Sequence, residues 1–231
     1  MTEAIRIPAS IFNLTVEDVF RAQGADPAVL RSRRPALVET TQAAIELGLK
    51  IVRPVGWIKE LEVLSTQHNR MILADDTILT GELVLNQLAG SRIIAYVIAS
   101  LGPEMDEQIS DSMKVDTGFG YALDTIGSIL AESAGGYFES QIREKAARNK
   151  QSISLTLSPG LIGWPVDEGQ IQIFKVLQPD QTLIQLNASS QMIPRKSVSY
   201  VMGIGCTESD GTTCDFCDQR DRCPNSKARK E

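Results

Sequence analysis

Hydrophobic and polar positions alternate with two different periods along this chain, and the switches between them outline its elements. Thr15 followed three residues later by Asp18 forms a capping-box start, and the helix it opens runs through Arg21 to an end near Gly24. Pro35 stands at the first position of a second helix carrying Leu37, Val38, Ala44, Ile45 and Leu49. Ile51 to Leu64 is rich in β-branched and apolar residues and reads as one or two strands, broken at Pro54 and Gly56. Arg70 to Ala74 reads as a further short strand. Thr80 is placed to cap a short helix with Leu83, Val84 and Leu88, which Gly90 ends. Arg92 to Ala99 is almost continuously apolar, the mark of a central strand buried on both faces.

Pro103 opens a helix towards Met113. From Tyr121 to Arg148, Leu123, Ile126, Ile129, Leu130, Ala134, Tyr137, Phe138 and Ile142 recur at helical spacing, which predicts one long helix. Gly127, Gly135 and Gly136 interrupt it, at about 1 kcal/mol each relative to alanine, so close packing on a sheet or close approach of a ligand must compensate. Ile153, Leu155 and Leu157 alternate as a strand. Asp167 to Leu177 reads as an amphipathic helix and Thr182 to Leu186 as a strand. Ser197 to Ile204 reads as a last strand, with Val198, Tyr200, Met202 and Ile204 on one face. Helices and strands mixed in this order predict an α+β fold, a sheet with packed helices, over residues 1–204. Periodicity is lost from 205 to 231, which marks a separate cysteine-rich metal-binding tail.

That tail carries the clearest chemistry. All four cysteines of the 231-residue chain, Cys206, Cys214, Cys217 and Cys223, fall in it with the spacing Cys-x7-Cys-x2-Cys-x5-Cys. A two-residue gap lets both thiolates of the central pair face one ion, and four thiolates complete a tetrahedral zinc shell or the corners of an iron–sulfur cluster. Cys223-Pro224 matches the Cys-Pro ending of some ferredoxin motifs and favours iron–sulfur, with zinc the alternative. Phe216 is the only large hydrophobe of the tail, so metal is what would hold it folded.

Composition narrows the partners. Hydrophobic content is 42%, enough for an ordinary core without disulfide staples, and the net charge of −6 argues against a nucleic-acid surface. No apolar run approaches the ~18 residues of a membrane span, and no secretory signal is visible. A cytoplasmic location follows, where clustered cysteines read as metal ligands. His68, the single histidine, lies in a polar turn, so no histidine-based triad can be assembled, and no nucleotide-binding glycine fingerprint occurs. No stand-alone active site is evident.

The remaining motif is the loop Ser158-Pro159-Gly160-Leu161-Ile162-Gly163-Trp164-Pro165. Two prolines stiffen it and two glycines permit positive φ, so it can hold backbone groups at fixed positions. With the following helix, the segment Ser189 to Val201 and the stretch Ser100-Leu101-Gly102-Pro103-Glu104-Met105-Asp106, it resembles the activation domain of cobalamin-dependent methionine synthase over about residues 5–204.

The resemblance implies a twisted, mainly antiparallel sheet with helices, S-adenosylmethionine binding, and docking on a cobalamin-carrying (corrinoid) protein or methionine synthase core. There it would support reductive methylation of inactive Co(II), with the electron drawn from a reductase. Thr156, Pro159, Gly160, Leu161, Trp164 and Tyr200 are the candidate ligand or docking residues, with Ser189 to Lys196 lining the same cleft. The family's loop reads Arg-x-x-Pro-Gly-Tyr, and its Arg and Tyr contact S-adenosylmethionine. Here those places hold Thr156 and Leu161, which offer neither a bidentate cation nor a phenol. The readings that follow are an accessory protein with an iron–sulfur cluster, a binding protein with structural zinc, or an S-adenosylmethionine-binding methyltransferase subunit.

Overall fold

The computed structural model describes residues 2–67, 69–206, 212–216 and 221–222. His68, Cys217 and Cys223 lie outside the described residues.

The sheet is antiparallel throughout. Its strands are β1 (Ile5–Arg6), β2 (Val55–Gln67), β3 (Arg70–Leu73), β4 (Ile78–Leu79) and β5 (Ile93–Ser100), with β8 (Ser197–Ile204) to complete it. The order is β4-β3-β2-β5-β8, with β1 also on β2. A separate hairpin pairs β6 (Gln185–Leu186) with β7 (Met192–Ile193). The helices are α1 (Val16–Ala22), α2 (Pro27–Arg33), α3 (Pro35–Ile51), α4 (Glu82–Gln87), α5 (Pro103–Val115), α6 (Thr117–Arg148) and α7 (Val166–Leu177). None of the helices among the described residues is long and apolar enough to cross a membrane.

β5 is the central strand its apolar run predicts, because both of its faces meet a core. Ala95, Val97 and Ala99 face an upper core built with α1, α3, α5 and α6, whereas Ile94, Tyr96 and Ile98 face a lower core built with α4, α7 and the Pro159–Gly160 loop. β8 alternates likewise. Tyr200, Met202 and Ile204 enter the upper core and Val201 the lower.

Several boundaries differ from the expectations. β2 does not break at Gly56. It continues through it because a Cβ there would lie 2.3 Å from Phe138 Cε2 and 2.7 Å from the Ile98 carbonyl, so the glycine lets α6 approach the sheet. Gly135 does the same where α6 crosses β8, 2.7 Å from Val198 Cγ2, while Gly136 faces open space. α4 is capped by Gly81 at φ 116 and not by Thr80, whose hydroxyl accepts a 2.9 Å hydrogen bond from Gln172 Nε2 instead. The stretch 153–157 forms only isolated bridges, Ile153 to Ile204 and Leu157 to Val201. Between them the Ser154 hydroxyl takes the place of a ladder carbonyl, accepting from Gly203 N at 2.8 Å. Of the strand expected at Thr182 to Leu186, only the last two residues pair.

Candidate functional site

The Pro–Gly loop is a closed turn built from its own sequence. Gly160 N donates to the Trp164 carbonyl at 2.8 Å and Trp164 N to the Leu161 carbonyl at 2.9 Å. This closure needs φ of 100° at Gly160 and 74° at Gly163, conformations that glycine adopts without a Cβ clash. Trp164 is the plug beneath the turn. It is fully buried, and Cβ atoms added at Gly81 and Gly169 would lie 3.0 Å from its Cδ1 and 2.9 Å from its Cε2. Pro159 also lies against Gly169, so α7 braces the loop from below. Leu161 is buried and Ile162, at the tip, is exposed.

Thr156 leads into this loop. Leu157 N and O both bond to Val201, at 3.0 and 2.9 Å, which turns the Thr156 backbone groups away from β8. The outward carbonyl of Thr156 accepts a 2.9 Å hydrogen bond from Thr213 Oγ1, in the tail. Four residues earlier, Ser152 Oγ donates to the Cys206 carbonyl. Cys206 and Thr213 are therefore both attached to the stretch that flanks β8, at Ser152 and at Thr156.

Two of the four expected ligands can be placed beside this stretch. Cys206 is 7% exposed, with Sγ 3.9 Å from the Gly203 carbonyl, and Cys214 is half-buried in the 3-10 turn Thr213–Phe216. Among the described residues no group of three or more His, Cys, Asp and Glu side chains converges as a metal site. Cys217 and Cys223, the other half of the expected set, are not among them. Phe216 packs on the lower core, the cluster that holds Leu157, Leu161 and Trp164.

Tyr200 does not join this face. It points into the upper core, where its hydroxyl donates to the Gly135 carbonyl at 2.7 Å, and burial pushes its ionisation well above the usual phenol range. The segment Ser189 to Lys196 divides between the two faces. Met192 packs on the lower core, whereas Lys196 crosses to α6, lies over Gly127 and pairs with Asp124 at 2.8 Å. Of the expected loop residues, Thr156, Pro159, Gly160, Leu161 and Trp164 are contiguous on the lower side, and Tyr200 is a tie between sheet and helix.

Comparison with solved structures finds the MetH reactivation domain, determined bound to AdoHcy, with a TM-score of 0.69. The match covers 94% of this chain and 83% of that one, at 12% sequence identity. The chain has the reactivation-domain fold. No protein-family model matches it, and no curated protein does. The reactivation-domain fold is the one that the resemblance to methionine synthase activation domains implied, with its antiparallel sheet and packed helices.

Leu161 is folded into the core and offers no polar atom, and the Thr156 carbonyl already holds Thr213. Sequence reasoning missed Thr213 and Gly169. A glycine inside a strong helical pattern was the available signal for Gly169, whereas nothing in the sequence marked Thr213.

Proposed function

We propose that this chain is an accessory protein for reductive reactivation of a corrinoid-dependent methyl-transfer enzyme, docking through residues 1–204 on a cobalamin-carrying partner. Similarity of the fold to a reactivation domain over nearly the whole chain is the observation that carries this reading. Such a reactivation would be a reductive methylation of the partner's Co(II), with one electron from a reductant and the methyl group from S-adenosylmethionine, released as S-adenosylhomocysteine. The chain enters this sequence as a docking component. Its part is to hold the partner and to place the electron source.

The four-cysteine tail, residues 205–231, is proposed as that source, an iron–sulfur cluster held by Cys206, Cys214, Cys217 and Cys223, with zinc as the alternative occupant. Cys206 and Cys214 both attach to the stretch 152–156, Cys206 at Ser152 and Cys214 through Thr213 at Thr156, which supports a centre along that stretch. S-adenosylmethionine is the second proposed ligand. The neighbour's AdoHcy favours it, while Thr156 and Leu161 restrict its contacts to the Pro159–Gly160 backbone.

The test is restoration of activity. A corrinoid methyltransferase trapped as Co(II) regains turnover when this chain, S-adenosylmethionine and a low-potential reductant are added together. If the chain changes neither turnover nor the Co(II) spectrum, the reading is wrong.

A further inference from the structure

We infer that Thr213 and Phe216 are positioning residues for the cysteine centre, forming an anchor that sets Cys214 beside Thr156 before any metal is bound. The inference rests on the metal reading of the tail given above. Its own observations are the contacts of the short turn that carries Cys214.

The turn is closed by its own side chains and then fastened to the domain. Asp215 N donates to the Thr212 carbonyl at 3.0 Å, and Thr212 N and Oγ1 both donate to Asp215 Oδ2, at 2.7 and 3.1 Å. Cys214 is enclosed within this loop of bonds. One residue before it, Thr213 Oγ1 bonds to the outward carbonyl of Thr156. Two residues after it, Phe216 packs on the lower core. The two attachments differ in kind, one a directional bond to the Thr156 carbonyl and the other an apolar contact. Together they fix both the place of the turn and its rotation. At the other end of the segment, Cys206 is fixed by burial and by the Ser152 bond to its carbonyl.

Cys206 and Cys214, half of the proposed ligand set, are thus held by the folded domain. This lowers the ordering entropy that a metal must overcome. It also favours a centre beside the stretch 153–157 that leads into Pro159 and Gly160. Residues that orient ligands without touching the metal commonly change metal affinity by 10–100-fold when replaced. Thr213 and Phe216 are assigned that role.

Two measurements on the full chain test it, with Thr213→Val, Phe216→Ala and the conservative Thr213→Ser. In reduced, metal-free protein, iodoacetamide modification of Cys214 is followed by mass spectrometry. Val and Ala variants are expected to react at least about fivefold faster than wild type, the factor that corresponds to losing a contact of about 1 kcal/mol, and Ser like wild type. In protein reconstituted with iron and sulfide, or with zinc, loss of metal to a chelator is expected to be about tenfold faster in the Val and Ala variants and rescued in Ser. Equal alkylation rates in all four proteins overturn the anchor, whatever metal they bind. Faster alkylation with unchanged metal loss overturns its role in positioning the centre. A wild type that takes up no metal removes the metal reading of the tail, and the positioning role falls with it.

Discussion

Replacing Gly169 by alanine tests how the Pro–Gly loop is held, because two opposing effects of known size meet there. Gly169 is the fourth residue of α7, and alanine would favour the helix by about 1 kcal/mol. The new Cβ, however, would lie 2.8 and 2.9 Å from Pro159 Cβ and Cγ and 2.9 Å from Trp164 Cε2. These are ring atoms, one set in a closed turn and the other in a fully buried indole that Gly81 also approaches closely, so neither can readily swing aside. Overpacking of this kind costs about 1–3 kcal/mol. The steric effect wins, and net destabilisation of up to about 2 kcal/mol follows, which lowers Tm by up to roughly 8 °C in a protein of this size. Thermal melts followed by circular dichroism measure it. Trp164 emission in a Trp57→Phe background should shift to the red as the loop lifts. Gly136→Ala is the control, since nothing lies within 4 Å of its Cβ, and the helix should gain up to about 1 kcal/mol. If Gly169→Ala raises Tm as Gly136→Ala does, the loop is not braced on α7 and the reasoning fails.

Other consequences can be checked directly. Tyr200→Phe removes the bond to the Gly135 carbonyl and should cost about 1 kcal/mol in chemical denaturation while leaving any metal or ligand binding intact. Loss of binding would return Tyr200 to the site. Cys217→Ser should abolish metal uptake yet leave the main melting transition in place, since both cores are built from residues outside the cysteine tail but for the peripheral Phe216; a global collapse would contradict this. Acid stability should depend on Asp18 and Asp75, held below their ordinary value of 3.8 by the Thr15 hydroxyl and by Lys59 respectively. Because folding lowers these values, their contribution is complete above about 3.8 and is lost as pH falls through the folded values. Lys59→Met should therefore flatten the loss of Tm below pH 4, and an unchanged acid limb would show that the Lys59–Asp75 pair contributes nothing.

Long-range periodicity was legible in the sequence, and local exceptions were not. The 3.6-residue pattern of α6 and the unbroken apolar run of β5 survive because each reports burial against a whole layer. The capping box at Thr15 survives because both of its hydrogen bonds are local. α2 was missed although Asp26 and Pro27 carry its start signal, since its seven residues bury none and leave no apolar stripe. Gly56 was misread as a break because its reason, the ring of Phe138, is distant in sequence. In the candidate site, the rigid loop and the cysteine spacing could be read directly. The hook of Thr213 on Thr156 could not, because a hydroxyl and a backbone carbonyl fifty-seven positions apart leave no pattern. Tyr200 was assigned to the wrong face for the same reason. Its alternation in β8 was right, but which core each face meets is set by where α6 and α7 lie.

The central claim is that a reactivation-domain fold carries its own inorganic centre on the cysteine tail. The most direct measurement is the visible spectrum of the full chain purified without oxygen, together with iron, sulfide and zinc analysis. The account predicts broad visible absorbance that dithionite bleaches, with iron and sulfide bound stoichiometrically. A colourless protein with neither iron nor zinc would contradict it.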